Sequence, residues 1–127
     1  MKKLQLIIAL AFCFAVNLQA QTITIGTVSS TTVCAGATIS VPYTITGTFT
    51  AGNVFTAQLS NSTGAFTSPV AIGTLTSTAA GTITATIPTA TAQGSAYRIR
   101  VVSSAPFITG STNVTNIIVH ASDVPVI

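Results

Sequence analysis

Ile39-Ser40-Val41-Pro42-Tyr43-Thr44-Ile45-Thr46 decides the fold class. Ile39, Val41, Tyr43 and Ile45 occupy every second position, and Ser40, Thr44 and Thr46 point the other way. Successive side chains of a strand leave opposite faces of the pleat, so a period of two gives one dry face and one wet face. The same alternation recurs on both sides of this stretch. Upstream, Ile23, Ile25 and Val28 outline an opening strand interrupted at Gly26. Downstream, Phe55, Ala57 and Leu59 point inward, with Thr56, Gln58 and Ser60 outward. Val70 to Leu75 is a short strand in which Gly73 marks a bulge or a close approach.

Ile83, Ala85 and Ile87 form the next inward set, ended by Pro88. Tyr97, Ile99 and Val101 face the core while Arg98 and Arg100 face outward, and Asn113 to His120 makes the last strand. The turns are Ala35-Gly36, Ala51-Gly52-Asn53 and Asn61-Ser62-Thr63-Gly64, rich in residues that tolerate tight backbone. Ser103 to Pro106 reads as a loop, with Phe107 plugging the end of the sandwich. Seven or eight short strands, with no crossover long enough for parallel pairing, predict an all-β, mainly antiparallel sandwich or barrel.

Composition points the same way. Hydrophobic residues make up 48% of the 127 and charged ones only 4%; disorder would require low hydrophobicity. The polar complement is Thr and Ser, which suit pleated strands and are weak helix formers.

The first twenty residues read as an address. Lys2 and Lys3, the apolar run Leu4 to Val16 and Leu18-Gln19-Ala20 form a secretory signal peptide cleaved before Gln21. A lipoprotein cut at Leu10-Ala11-Phe12-Cys13 fits poorly because Phe12 is bulky, and the run falls short of the roughly 20 residues of a membrane span. The expected division is 1–20 signal peptide, 21–120 sandwich and 121–127 linker-like tail. The mature chain is expected to be secreted or at the cell surface, without a transmembrane segment. Loss of Lys2 and Lys3 takes the formal charge from +3 to +1, and no basic patch remains for nucleic acid.

Candidate chemistry is sparse. Asp123 is the single acidic residue, so paired-carboxylate catalysis and a calcium cage cannot be assembled from this chain. A metal site or a thiol–imidazole pair would have to use Cys34 and His120; the plainer reading is a small buried thiol and a strand-end imidazole. No G-x-S-x-G elbow occurs. We therefore expect no catalytic residue, no cofactor and no metal, and a chain that is not an enzyme.

Arg98 and Arg100, two apart on one strand, are the candidate ligand contacts. Guanidinium forks suit a sulfate, a sugar carboxylate or an acidic partner, and the loops around Asn53, Asn61 and Phe107 would complete such a surface. The plainer reading is two solvated charges that deter edge pairing. Thr-x-Thr runs such as Thr82/Thr84/Thr86 are ordinary wet-face positions, and sheet twist works against a flat threonine array. Asn61-Ser62-Thr63 and Asn113-Val114-Thr115 match the N-glycosylation sequon.

Several segments together resemble a known group. They are Cys34-Ala35-Gly36 ahead of the Ile39 strand, Gly52-Asn53-Val54-Phe55-Thr56-Ala57-Gln58-Leu59-Ser60, Gly64-Ala65-Phe66 with Ile72-Gly73, and Ile87-Pro88 leading to Gly94 and Tyr97-Arg98-Ile99-Arg100-Val101. In this order they resemble the immunoglobulin-like modules of exported, often multi-domain surface proteins of Bacteroidetes-type bacteria, over roughly residues 33–119. The resemblance implies an immunoglobulin-like antiparallel β-sandwich of seven to eight strands and a non-enzymatic structural or adhesive module, with neighbouring modules or other surface proteins as partners and no catalytic residues to carry over. A glycan- or anion-binding module using Arg98, Arg100 and the end loops is the alternative. Tyr97 stands where a tyrosine corner is expected, its hydroxyl turned to upstream backbone near Pro88.

Overall fold

A computed structural model describes residues 19–122. The expected signal peptide as far as residue 18 and the expected linker-like tail from Asp123 onward lie outside the described residues. The described chain is all β, in ten strands: β1 (Thr22–Ile25), β2 (Thr32–Cys34), β3 (Thr38–Thr46), β4 (Val54–Leu59), β5 (Val70–Thr76), β6 (Gly81–Thr86), β7 (Gly94–Tyr97), β8 (Ile99–Ser103), β9 (Thr109–Thr112) and β10 (Ile117–His120).

One layer has the order β1-β3-β6; the other is assembled from β5-β4-β8-β9 and β2-β10-β7. β7 and β8 are one line of chain broken at Arg98, and β9 and β10 another broken over residues 113–116. These two breaks, with the short β2, account for ten strands where seven or eight are expected. The layers are antiparallel except where β10 pairs with β2 in parallel, Val119 opposite Val33. The crossover rule applies to strands consecutive along the chain; β2 and β10 come from its two ends and can lie side by side without one.

The inner faces carry the alternation read from sequence. Ile39, Val41 and Tyr43 of β3 are buried, as are Phe55, Ala57 and Leu59 of β4 and Ile83 and Ala85 of β6. Each large aliphatic or aromatic side chain so buried contributes about 1.5–3 kcal/mol relative to exposure. Phe107 is not the plug expected at the end of the sandwich, being 71% exposed. Phe49 fills that place, its ring 5.2 Å from that of Phe55.

Both open sides of the sandwich close over a glycine. A Cβ on Gly73 would lie 2.5 Å from the Thr84 carbonyl oxygen across the β5/β6 side, and one on Gly110 would lie 2.6 Å from that of Val101 and 2.9 Å from that of Ile23 at the β1/β9 side. Gly73 is also the site of a bulge: Ala57 pairs with Gly73 but Gln58 with Ala71, leaving Ile72 over. The bulged residue is turned into the core, so the bulge and the close approach expected at Gly73 occur together.

Tyr43 couples the core to pH. Its hydroxyl donates to the Ala79 carbonyl at 3.0 Å, and burial pushes its phenol above the ordinary value of 10.0, partly offset by Ser77. A pKa higher in the folded than in the unfolded chain gives stability that is complete below the unfolded value and lost as pH rises through the folded one. The urea midpoint should therefore fall on going from pH 8 to above pH 10.5. In Tyr43→Phe that part of the alkaline loss should disappear; an equal fall in both proteins would place its origin elsewhere.

Candidate functional site

The outward arginines sit where β7 passes into β8. Here the strand changes partners, from β10 to β4 and β9, and buried polar side chains carry the backbone across the gap. Ser60 accepts the Arg98 amide on its hydroxyl at 2.7 Å, while its own amide donates to the Arg98 carbonyl at 2.9 Å. Asn113 accepts the Ile99 amide on Oδ1 at 2.7 Å and donates its own amide to the Ile99 carbonyl at 3.0 Å. Ser60 and Asn113 are almost fully buried, as buried polar groups with such partners can be.

Each guanidinium is held by protein. Arg98 Nη1 donates to the Asn113 carbonyl at 3.2 Å. Arg100 Nε donates to Gln58 Oε1 at 2.9 Å, and its guanidinium carbon lies 4.4 Å from the centroid of the Phe66 ring, within cation–π range. Phe66 comes from the β4–β5 loop, whose tight turn is organised by Asn61: its Oδ1 accepts the amides of Thr63 and Ala65 at 3.0 Å and the Thr63 hydroxyl at 2.7 Å. The loop folds back toward the arginine face, so that a Cβ added at Gly64 would lie 3.3 Å from Arg98 Cγ.

The loops grouped with the arginines do not converge on them. Asn61 belongs to the supporting loop. Asn53 and Phe107 lie toward the opposite end of the sandwich, where β3 passes into β4 and β8 into β9. Asn53 is fully buried and its side chain is occupied, Nδ2 by the Ser77 carbonyl at 2.9 Å and Oδ1 by the amides of Ser104 and Ala105 at 3.1 and 2.8 Å. Of the two sequons, Asn61 is exposed, whereas Asn113 is buried inside the β7/β8 junction.

Cys34 is exposed, which corrects the expectation of a buried thiol. Val33 takes the inward position of β2, so alternation turns Cys34 outward. Its register partner across the parallel pair is His120, also exposed. The topology therefore places the thiol and the imidazole on neighbouring strands, and no third His, Cys, Asp or Glu among the described residues joins them as a metal group. Tyr97 makes the expected corner, its hydroxyl donating to the Ala92 carbonyl at 2.7 Å.

Two shallow cavities open on the surface of the described residues. One, about 320 Å³, is a notch where the chain leaves β1 for β2, lined by Ile25, Val28, Thr31 and Asn113 among others. The other, about 390 Å³, lies between Leu59, Val70, Pro88 and Tyr97. Among the described residues no helix is long and apolar enough to cross a membrane. Compared with known proteins, the chain matches no family model, no curated protein and no solved structure.

Proposed function

We propose that the protein is a non-enzymatic, exported structural or adhesive module of immunoglobulin-like type, belonging to a cell-surface or secreted protein. The route of the chain through the domain carries this reading. β1 begins at the pole where β3 ends, Thr22 opposite Thr46. β10 leaves at the pole where β3 begins, the His120 carbonyl accepting the Ala35 amide at 2.8 Å just ahead of Thr38. The two points are thus separated by the nine residues of β3, about 27 Å at the rise of a strand. A domain threaded from pole to pole spaces whatever is joined to its ends.

Because β2 runs parallel to β10, tension applied at the ends slides one strand along the other, and their hydrogen bonds share the load. The leader-like Met1 to Ala20 and the resemblance read from the sequence over roughly residues 33–119 support an exported setting, with neighbouring modules or other surface proteins as partners.

The test is single-molecule pulling in two geometries. Gripped by its two ends, the chain should rupture cooperatively at a force several-fold higher than when gripped at Gln21 and Gly52, which share one pole and let strands unzip bond by bond. Equal forces in the two geometries would remove the mechanical basis of the proposal. Mass spectrometry of the exported protein should place its N-terminus at Gln21, and retention of the intact chain in the cytosol would overturn the exported setting.

A further inference from the structure

We infer that the outer face around Arg98 and Arg100 is a binding site for the carboxylate or sulfate groups of an anionic polysaccharide. Residues 19–122 contain no Asp or Glu, so neither guanidinium has a carboxylate partner among the described residues. The two cations are therefore carried by residues two apart on one line of chain, with Cα atoms roughly 7 Å apart at the rise of a strand, and no counter-charge stands among the described residues. A solvated pair needs no support, yet each guanidinium is bonded within the protein: Arg98 to the Asn113 carbonyl, Arg100 to Gln58 and the Phe66 ring.

A guanidinium has five N–H donors, and one on each arginine is engaged by protein, Arg98 Nη1 and Arg100 Nε. Much of the rotamer freedom that binding would cost is already gone, which is how preorganisation raises affinity. Forked donors of this kind match planar and tetrahedral oxyanions.

The surroundings favour a polysaccharide over an acidic peptide. In register, Gln58 and Thr112 flank Arg100 on the two neighbouring strands, giving a row of amide, guanidinium and hydroxyl across the sheet that suits sugar hydroxyls beside a charged group. β8 is paired on both sides, so no free strand edge is available there for a peptide to add to. Two cations are also too few for the phosphate neutralisation on which nucleic-acid binding relies.

The experiment titrates the processed full chain, by calorimetry and amide NMR, with dextran sulfate and alginate, and with neutral dextran, polyglutamate and inorganic sulfate in parallel. Expected are binding of the two anionic polysaccharides, shifts centred on Phe66, Arg100 and Thr112, and affinity that falls about tenfold for each of Arg98→Gln and Arg100→Gln. If the Gln variants lose folded structure, Arg98→Lys with Arg100→Lys keeps the charge but not the fork, and should still weaken binding. Unchanged affinity in the folded variants, equal binding of neutral dextran, or tighter binding of polyglutamate overturns the inference. So does inorganic sulfate binding as tightly as the polymers, because the site then serves small anions. None of these outcomes touches the spacer reading, which rests on the route of the chain.

Discussion

Gly73→Ala is expected to destabilise the domain by about 3 kcal/mol, the upper end of the usual overpacking penalty, and to lower the melting temperature by more than about 10 °C. The added methyl would lie 2.5 Å from the Thr84 carbonyl oxygen, 2.9 Å from Ile83 Cγ2 and 3.0 Å from Ala85 Cα. Two of these three are backbone atoms of β6, which is tied along its length to β3 from Thr86 opposite Thr38 to Gly81 opposite Tyr43. They cannot rotate away as a flexible side chain would. Relief requires β5 to part from β6, opening the sandwich over Ile72 and Leu75.

Gly52→Ala separates this packing effect from the general cost of replacing glycine. Gly52 has φ of +90° with nothing within 4 Å of an added Cβ, so its penalty is conformational only, about 1–2 kcal/mol. Urea unfolding of the two variants should show the larger loss at Gly73. A midpoint for Gly73→Ala at or above that for Gly52→Ala would mean that this side of the sandwich is looser than its geometry indicates.

The strands legible in sequence are those whose inward positions hold apolar residues: β1, β3, β4, β5, β6, the β7–β8 line and β10. β9 was not legible because Thr109-Gly110-Ser111-Thr112 has no apolar residue to set a period; its neighbours, not its composition, place it in the sheet. β2 offers only Val33 as an inward residue. In sequence Phe107 reads as a plug, a lone aromatic beside a loop, and nothing local distinguishes it from Phe49.

The arginine face was half visible. Alternation gave the shared side of Arg98 and Arg100, but Phe66 and Gln58 reach Arg100 only through the β4–β5 loop and the β4–β8 register, 34 and 42 residues away in sequence. The buried polar residues were hidden most completely. Ser60 and Asn113 belong to the same residue types that populate exposed turns, and only the break in pairing at Arg98 gives them buried partners. A polar residue adjoining an irregular register is the local sign that would mark them, and it appears only once the strands are paired.

Asn53→Ala is expected to destabilise the domain by about 3 kcal/mol or more, because each polar group left without its partner costs about 1–3 kcal/mol. The side chain ties three connections at one pole: the turn into β4, the β5–β6 turn through the Ser77 carbonyl, and the β8–β9 loop through the amides of Ser104 and Ala105. Alanine frees one acceptor and two donors at once. Asn53→Asp is the sharper test. It keeps the shape and the acceptor for the two amides but replaces the Nδ2 donor with an oxygen facing the Ser77 carbonyl at about 2.9 Å. A carboxylate buried against a carbonyl favours its protonated form, so the folded pKa of Asp at this position should stand above the unfolded value of about 3.9. The aspartate variant's contribution is then most favourable below that value and is lost as pH rises through the folded pKa. Relative to the parent protein, Asn53→Asp should unfold at much lower urea at pH 7 and recover toward it near pH 4, while Asn53→Ala shows no comparable recovery. A deficit for Asn53→Asp that is the same at both pH values would mean that residue 53 is open to water and that the three connections are held together by other contacts.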